Sequence, residues 1–166
     1  IVTGNHSAVG GGSSNFITGL SSTVAGGTSN RVTGDYSTVA GGRTNSISGS
    51  NSTIAGGYFN LVSGNSSAIG GGSFNFLTGV AATIAGGTGN QVTGNHSAVG
   101  GGSSNYISGE YSNVFGGRSN NVYSSYSSIV GGSGNITSGN YSFIGGGANC
   151  RIPTSHIGAS ILADGQ

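Results

Sequence analysis

Ile1-Val2-Thr3-Gly4-Asn5-His6-Ser7-Ala8-Val9-Gly10-Gly11-Gly12-Ser13-Ser14-Asn15 opens the chain, and it returns at Gln91–Asn105 changed only at its first residue. The same step of fifteen runs through ten consecutive copies covering residues 1–150. Position nine is always branched: Val9, Val24, Val39, Ile54, Ile69, Ile84, Val99, Val114, Ile129 and Ile144. Position two is Val, Ile or Leu until Thr137. Position four is Gly except Ser124, position seven is Ser except Ala82, and positions eleven and twelve are always Gly-Gly. Position fifteen carries Asn15, Asn30, Asn45, Asn60, Asn75, Asn90, Asn105, Asn120 and Asn135, then Cys150. Columns this regular require successive copies to occupy equivalent places in space.

Composition excludes an ordinary globule. The 166 residues include 37 Gly, one Pro and no Met or Trp, and 4% are charged, against about 25% in a typical soluble domain. Collagen is excluded by the lack of Gly at every third residue. Disorder is opposed by low charge combined with a Val/Ile ladder. The net charge of +1 comes from four scattered arginines, a poor footprint for nucleic acid or for a polybasic membrane anchor. No apolar run approaches the roughly 18 residues of a membrane span, so direct membrane insertion is not expected. The start without Met, inside a repeat, suggests a fragment or a processed chain.

Helix is disfavoured because each interior Gly costs roughly 1 kcal/mol there. Each repeat instead holds two short period-2 segments of β-branched residues. Gly4 and its equivalents separate the first segment from the second; the Gly-Gly pair and the Asn separate the second from the next copy. The expected fold is all-β: a parallel β-roll or β-solenoid with two short strands per fifteen-residue turn. Roughly eleven turns spaced about 4.8 Å make a rod about 50 Å long. Positions two and nine should point inward, with Ser at seven and Gly at eleven keeping the interior narrow. Inward Ser hydroxyls need backbone or mutual hydrogen bonds, and the Asn column should form a side-chain ladder at a corner. Residues 151–166 break the period and read as a cap or the start of a connector. In that tail Pro153 suits an edge, Ile152, Ile157, Ile161 and Leu162 could cover the last turn or join chains, and Asp164 beside Gly165 reads as turn chemistry. Cys150 reads as a small apolar residue ending the Asn column.

The unit Gly-x-x-Ser-x-Val/Ile-x-Gly-Gly, as in Gly4-Asn5-His6-Ser7-Ala8-Val9-Gly10 and Gly64-Asn65-Ser66-Ser67-Ala68-Ile69-Gly70, resembles the head repeats of trimeric autotransporter adhesins. The resemblance implies a left-handed parallel β-roll with three chains to a head. Here the repeat is one residue longer than is usual in that family, and the inward residue is Val or Ile rather than Ala. The longer Gly-Gly-x-x-Asn variant is similar to fibre repeats of tailed phages and giant viruses, and Ser155–Gly165 resembles the segment that follows such repeats. These likenesses imply a homotrimeric viral tail or head fibre, displayed on the virion surface and used for attachment to a host-cell glycan or protein. A bacterial adhesin head on the outer-membrane surface, a structural spacer and an ice-binding solenoid are the alternatives. Thr23, Thr38, Thr53 and Thr83 make an ice-like ladder at position eight, but Ala, Asn, Ser and Phe interrupt it.

Candidate binding residues come from position six, where Tyr36, Tyr111, Tyr126 and Tyr141 recur with His6 and His96. If that column faces outward it forms a stripe of rings with polar handles; corner packing is the competing reading. No catalytic residue, cofactor or metal site is expected. His6 and His96 lie six turns apart, Asp35 and Glu110 five, and one Cys with three dispersed His makes no zinc set. Gly10-Gly11-Gly12 lacks the Lys and the helix of a phosphate loop.

Overall fold

The computed structural model describes residues 1–162, so Asp164 and Gly165, expected above as turn residues, lie outside the described residues. The chain winds into a parallel β-solenoid with two two-residue strands per turn. One ladder runs from Phe16–Ile17 through Arg31–Val32 and its equivalents to Arg151–Ile152, in ten strands. The other runs from Ala8–Val9 through Thr23–Val24 and its equivalents to Ser160–Ile161, in eleven. Register is one full repeat everywhere along the repeat region: Val24 pairs with Val39 and Val39 with Ile54. A third ladder, which the column pattern does not announce, consists of single bridges at position thirteen, from Ser13↔Thr28 to Ser133↔Ala148.

Alternation within each two-residue strand places the second residue inside. Position two is buried from Ile17 to Ile152 and position nine from Val24 to Ile144; Val9, on the first turn, is half-buried and packs against the same cluster. Two branched aliphatics per turn contribute roughly 3–6 kcal/mol of burial. Polar ladders occupy the rest of the interior.

The Asn column is internal. Asn30 Nδ2 donates to Gly26 O at 3.1 Å in its own turn and to Gly42 O at 3.0 Å in the next, while its Oδ1 accepts from the Asn45 N–H at 3.0 Å. Each amide thus closes the Gly-Gly corner and ties three backbone groups across two turns. The Ser column does the same at the opposite corner: Ser37 Oγ donates to Gly49 O at 2.9 Å and accepts from the Ser52 N–H at 3.1 Å. Among the described residues no buried side-chain polar atom lacks a partner, as a water-free interior demands.

The glycine roles differ from those expected. Position eleven does not line the interior: a methyl group added at Gly86 would meet nothing within 4 Å. Position twelve carries the constraint. Gly87 has φ +92°, and a Cβ there would stand 2.2 Å from Gly102 O and 2.6 Å from Asn90 Nδ2. Position four keeps an ordinary φ, and its requirement is close approach, with 2.1 Å from a Cβ on Gly34 to Gly49 O. The left-handed residues that turn the other corner are those at position six, from His6 (φ 57°) to Tyr141 (φ 59°); position fourteen, from Ser14 to Asn149, is left-handed too. For non-Gly residues that conformation costs roughly 1–2 kcal/mol, offset here by the backbone bonds it aims, such as Tyr126 N–H to Glu110 O at 2.9 Å.

Past the repeats, Arg151–Ile152 extends the first ladder and Ser160–Ile161 the second, with Ser160 paired to Phe143. That step is two residues longer than the repeat, and Pro153 sits in the longer corner. Ile152 is buried and Ile161 packs against the core, whereas Ile157 and Leu162 are exposed. Cys150 is buried where Asn would stand; its N–H donates to Asn135 Oδ1 at 2.9 Å.

Candidate binding surface

Inside the rod every turn is nearly alike, so individuality resides on the outward positions. Position six lies at the tip of the corner between the two sheets. The left-handed backbone there throws its side chain away from the core: His6, His96 and all four tyrosines of the column are exposed. The sequence left this column open between an outward stripe and corner packing; these six residues face outward, but their row is not continuous. Tyr36 stands between Ser21 and Asn51, and His6 next to Ser21, without ring neighbours in the column.

The remaining four rings form one stack. His96 and Tyr111 have centroids 4.8 Å apart and planes within 7°; Tyr111 and Tyr126 are 5.2 Å apart within 4°; Tyr126 and Tyr141 are 5.0 Å apart within 8°. The in-register parallel fold imposes this spacing, because equivalent atoms of adjacent turns lie one strand spacing apart. Stacking of such rings contributes roughly 0.5–1.5 kcal/mol per pair beyond area burial.

Beside the stack runs a polar column that the sequence reading did not single out. At position five, short side chains accept the N–H of the equivalent residue one turn earlier: Asp35 from Leu20 at 2.8 Å, Asn65 from Ser50 at 2.9 Å, Asn95 from Val80 at 2.9 Å and Asn140 from Ser125 at 3.0 Å. The available signal was that eight of the ten residues in this column are Asn, Asp, Ser or Glu, Leu20 and Val80 excepted. Glu110 takes a different partner, accepting from Asn95 Nδ2 at 3.2 Å.

A second aromatic group sits elsewhere, at the Gly-Gly corner of turns four and five. Tyr58, Phe59 and Phe74 are mutually packed with centroids 5.2–6.0 Å apart, and all three are partly exposed. Arg43 lies 5.7 Å from the Tyr58 ring. Phe59, Leu61 and Phe76 line a shallow apolar depression with Thr44, Ser46 and Asn60. Arg31 similarly covers Phe16 at 4.8 Å.

Among the described residues, no three His, Cys, Asp or Glu side chains gather closely enough to hold a metal ion, and no helix is long and apolar enough to cross a membrane. Asp35 and Glu110 stand on separate turns of the same corner, five repeats apart. What the arrangement offers chemically is a rigid ruler of side chains at strand spacing, with hydroxyl, amide and carboxylate groups on one edge and aromatic faces on another. No protein-family model matches this chain, and no curated protein matches it.

Proposed function

We propose that the chain is the shaft-and-surface segment of a non-enzymatic, homotrimeric, left-handed fibre carried on a virion, as a tail or head fibre, and used for attachment to a host-cell glycan or protein. The observation that carries this reading is the division of labour between inside and outside. From the second turn on, positions two, seven, nine and fifteen are buried and nearly invariant, while positions one, six, eight, ten, thirteen and fourteen are outward and vary from turn to turn. A rod built this way holds its shape whatever residues it displays, which suits a surface presented to a partner. The resemblance to adhesin heads and viral fibre repeats supports the trimer. So does the second sheet's small, flat outer face, where Thr23, Thr38 and Thr53 stand beside Ala25, Ala40 and Ala55, a surface on which chains can approach closely.

The test has two parts. The mass of the intact particle in solution should equal three chains; a monomer would overturn the trimer. Labelled protein should bind intact host cells and compete with infection, whereas a rod that binds no cell surface is a spacer. A bacterial adhesin head would show the same trimer with its binding partner on a eukaryotic surface or matrix.

A further inference from the structure

The stacked rings of turns seven to ten carry a sharper statement about the ligand, which rests on the attachment reading above. His96, Tyr111, Tyr126 and Tyr141 cover one another's faces, with interplanar angles of 4–8°. A single sugar or side chain laid flat on an inner ring is therefore excluded. What remains open to solvent is the rim of the stack, and the three tyrosines are 46%, 51% and 60% exposed. The side-chain hydrogen bonds at this corner do not use the phenols. They run from Asn95 to Glu110, from the Glu110 N–H to Ser125 and from the Ser125 N–H to Asn140. The rim thus presents the exposed phenol edges of Tyr111, Tyr126 and Tyr141 on three successive turns, with a parallel polar row at position five.

Period decides among linear partners. Ring centroids repeat at 4.8–5.2 Å. A single extended peptide strand presents same-face side chains about 6.6 Å apart, and drifts out of step within two turns. Nucleic acid places a phosphate every 3.4 Å or so along a strand and requires clustered cations; this corner carries the Glu110 carboxylate instead. An extended, equatorially linked polysaccharide advances by close to one strand spacing per sugar and is in step along the whole stack. The Glu110 carboxylate favours a neutral glycan over an acidic one. Covered ring faces leave little apolar area at this rim, which disfavours a second protein surface.

We infer that the ladder Tyr111–Tyr126–Tyr141, with His96 at its end, binds a neutral β-1,4-linked polysaccharide lying parallel to the rod axis, one sugar per turn, through phenol hydroxyls and the adjoining polar column. Calorimetry of the whole chain with cello- and chito-oligosaccharides of increasing length tests it, with malto-oligosaccharides and a sulfated glycan as comparators. Affinity should rise with length until the glycan spans the four rings, and the curved α-linked and sulfated chains should bind more weakly. Tyr126→Phe keeps the stack and removes one hydroxyl, and should weaken binding roughly five- to tenfold; Tyr36→Phe should leave it unchanged. No β-1,4 binding, equal binding of the α-linked chain, an unaltered Tyr126→Phe protein, or a ladder variant that changes only self-association would each overturn the inference. If Tyr126→Phe binds the oligosaccharides as tightly as the unaltered chain while both adhere to host cells, the ladder inference falls and the attachment reading stands. If oligosaccharides bind while the protein ignores cells, attachment falls and the ladder stands.

Discussion

Ser124 Oγ lies 3.2 Å from Thr137 Oγ1, and both side chains are buried. These two residues are the exceptions in their columns: the one position four that is not Gly and the one position two, among the ten copies, that is not aliphatic. They sit in adjacent turns, and the fold brings them together. Ser124 also donates to Ser127 Oγ at 3.0 Å. The extra side chain widens that corner slightly, since Ser127 Oγ reaches Gly139 O at 3.3 Å where Ser22, Ser37, Ser52, Ser67, Ser97 and Ser112 make the equivalent bond at 2.9 Å.

The pair should behave as one unit. Ser124→Gly alone removes the partner of a buried hydroxyl and should destabilise the rod by about 1–3 kcal/mol. Thr137→Val alone leaves Ser124 bonded to Ser127 and should cost less. The double variant restores the pattern of the other turns and should recover most of the loss, a coupling of about 0.5–3 kcal/mol measured by a double-mutant cycle in urea. Additive effects would refute the pairing.

Ala82 interrupts the Ser column. In neighbouring turns the Ser hydroxyl accepts the N–H of the next copy and donates to a carbonyl, as Ser67 does with Ala82 N–H at 3.2 Å and Gly79 O at 2.9 Å. Ala82→Ser should supply the same two bonds to Ser97 N–H and Gly94 O. The expected gain is about 1 kcal/mol, visible as a higher melting temperature with unchanged circular dichroism. A lower one would mean the site has no room for the hydroxyl.

The two glycines of one corner should respond oppositely. Gly86→Ala meets open space and reduces unfolded-state freedom, so it should be neutral or stabilising by up to about 1 kcal/mol. Gly87→Ala places a methyl against Gly102 O in a left-handed backbone, and should destabilise by several times that amount. Urea titration of both variants checks it; equal effects would contradict the corner geometry.

Asn75 Nδ2 donates to Gly71 O at 3.1 Å and Gly87 O at 3.0 Å, and its Oδ1 accepts from Asn90 N–H at 3.0 Å. Asn75→Ala strips partners from three backbone groups and leaves a void, and should cost about 3 kcal/mol or more. Hydrogen exchange should show faster opening of the flanking turns first, because neighbours stabilise each other. Uniform loss along the rod would instead point to global destabilisation.

By itself the sequence determined the lap length, the all-β class, the two strands per turn and the inward Val/Ile columns. A repeat that keeps identical residues at identical intervals permits only stacked, in-register turns, and β-branched residues at period two mark the buried face. It left position six open between an outward stripe and corner packing. Tertiary structure alone decided what depends on distance between turns. It showed that the second Gly of each pair, not the first, bears the strain, that His96 joins three tyrosines in a stack while Tyr36 and His6 stand apart, and that Ser124 answers Thr137. Those relations arise because residues fifteen apart in the chain become neighbours at one strand spacing, a closeness that acts between columns and turns rather than within any single stretch.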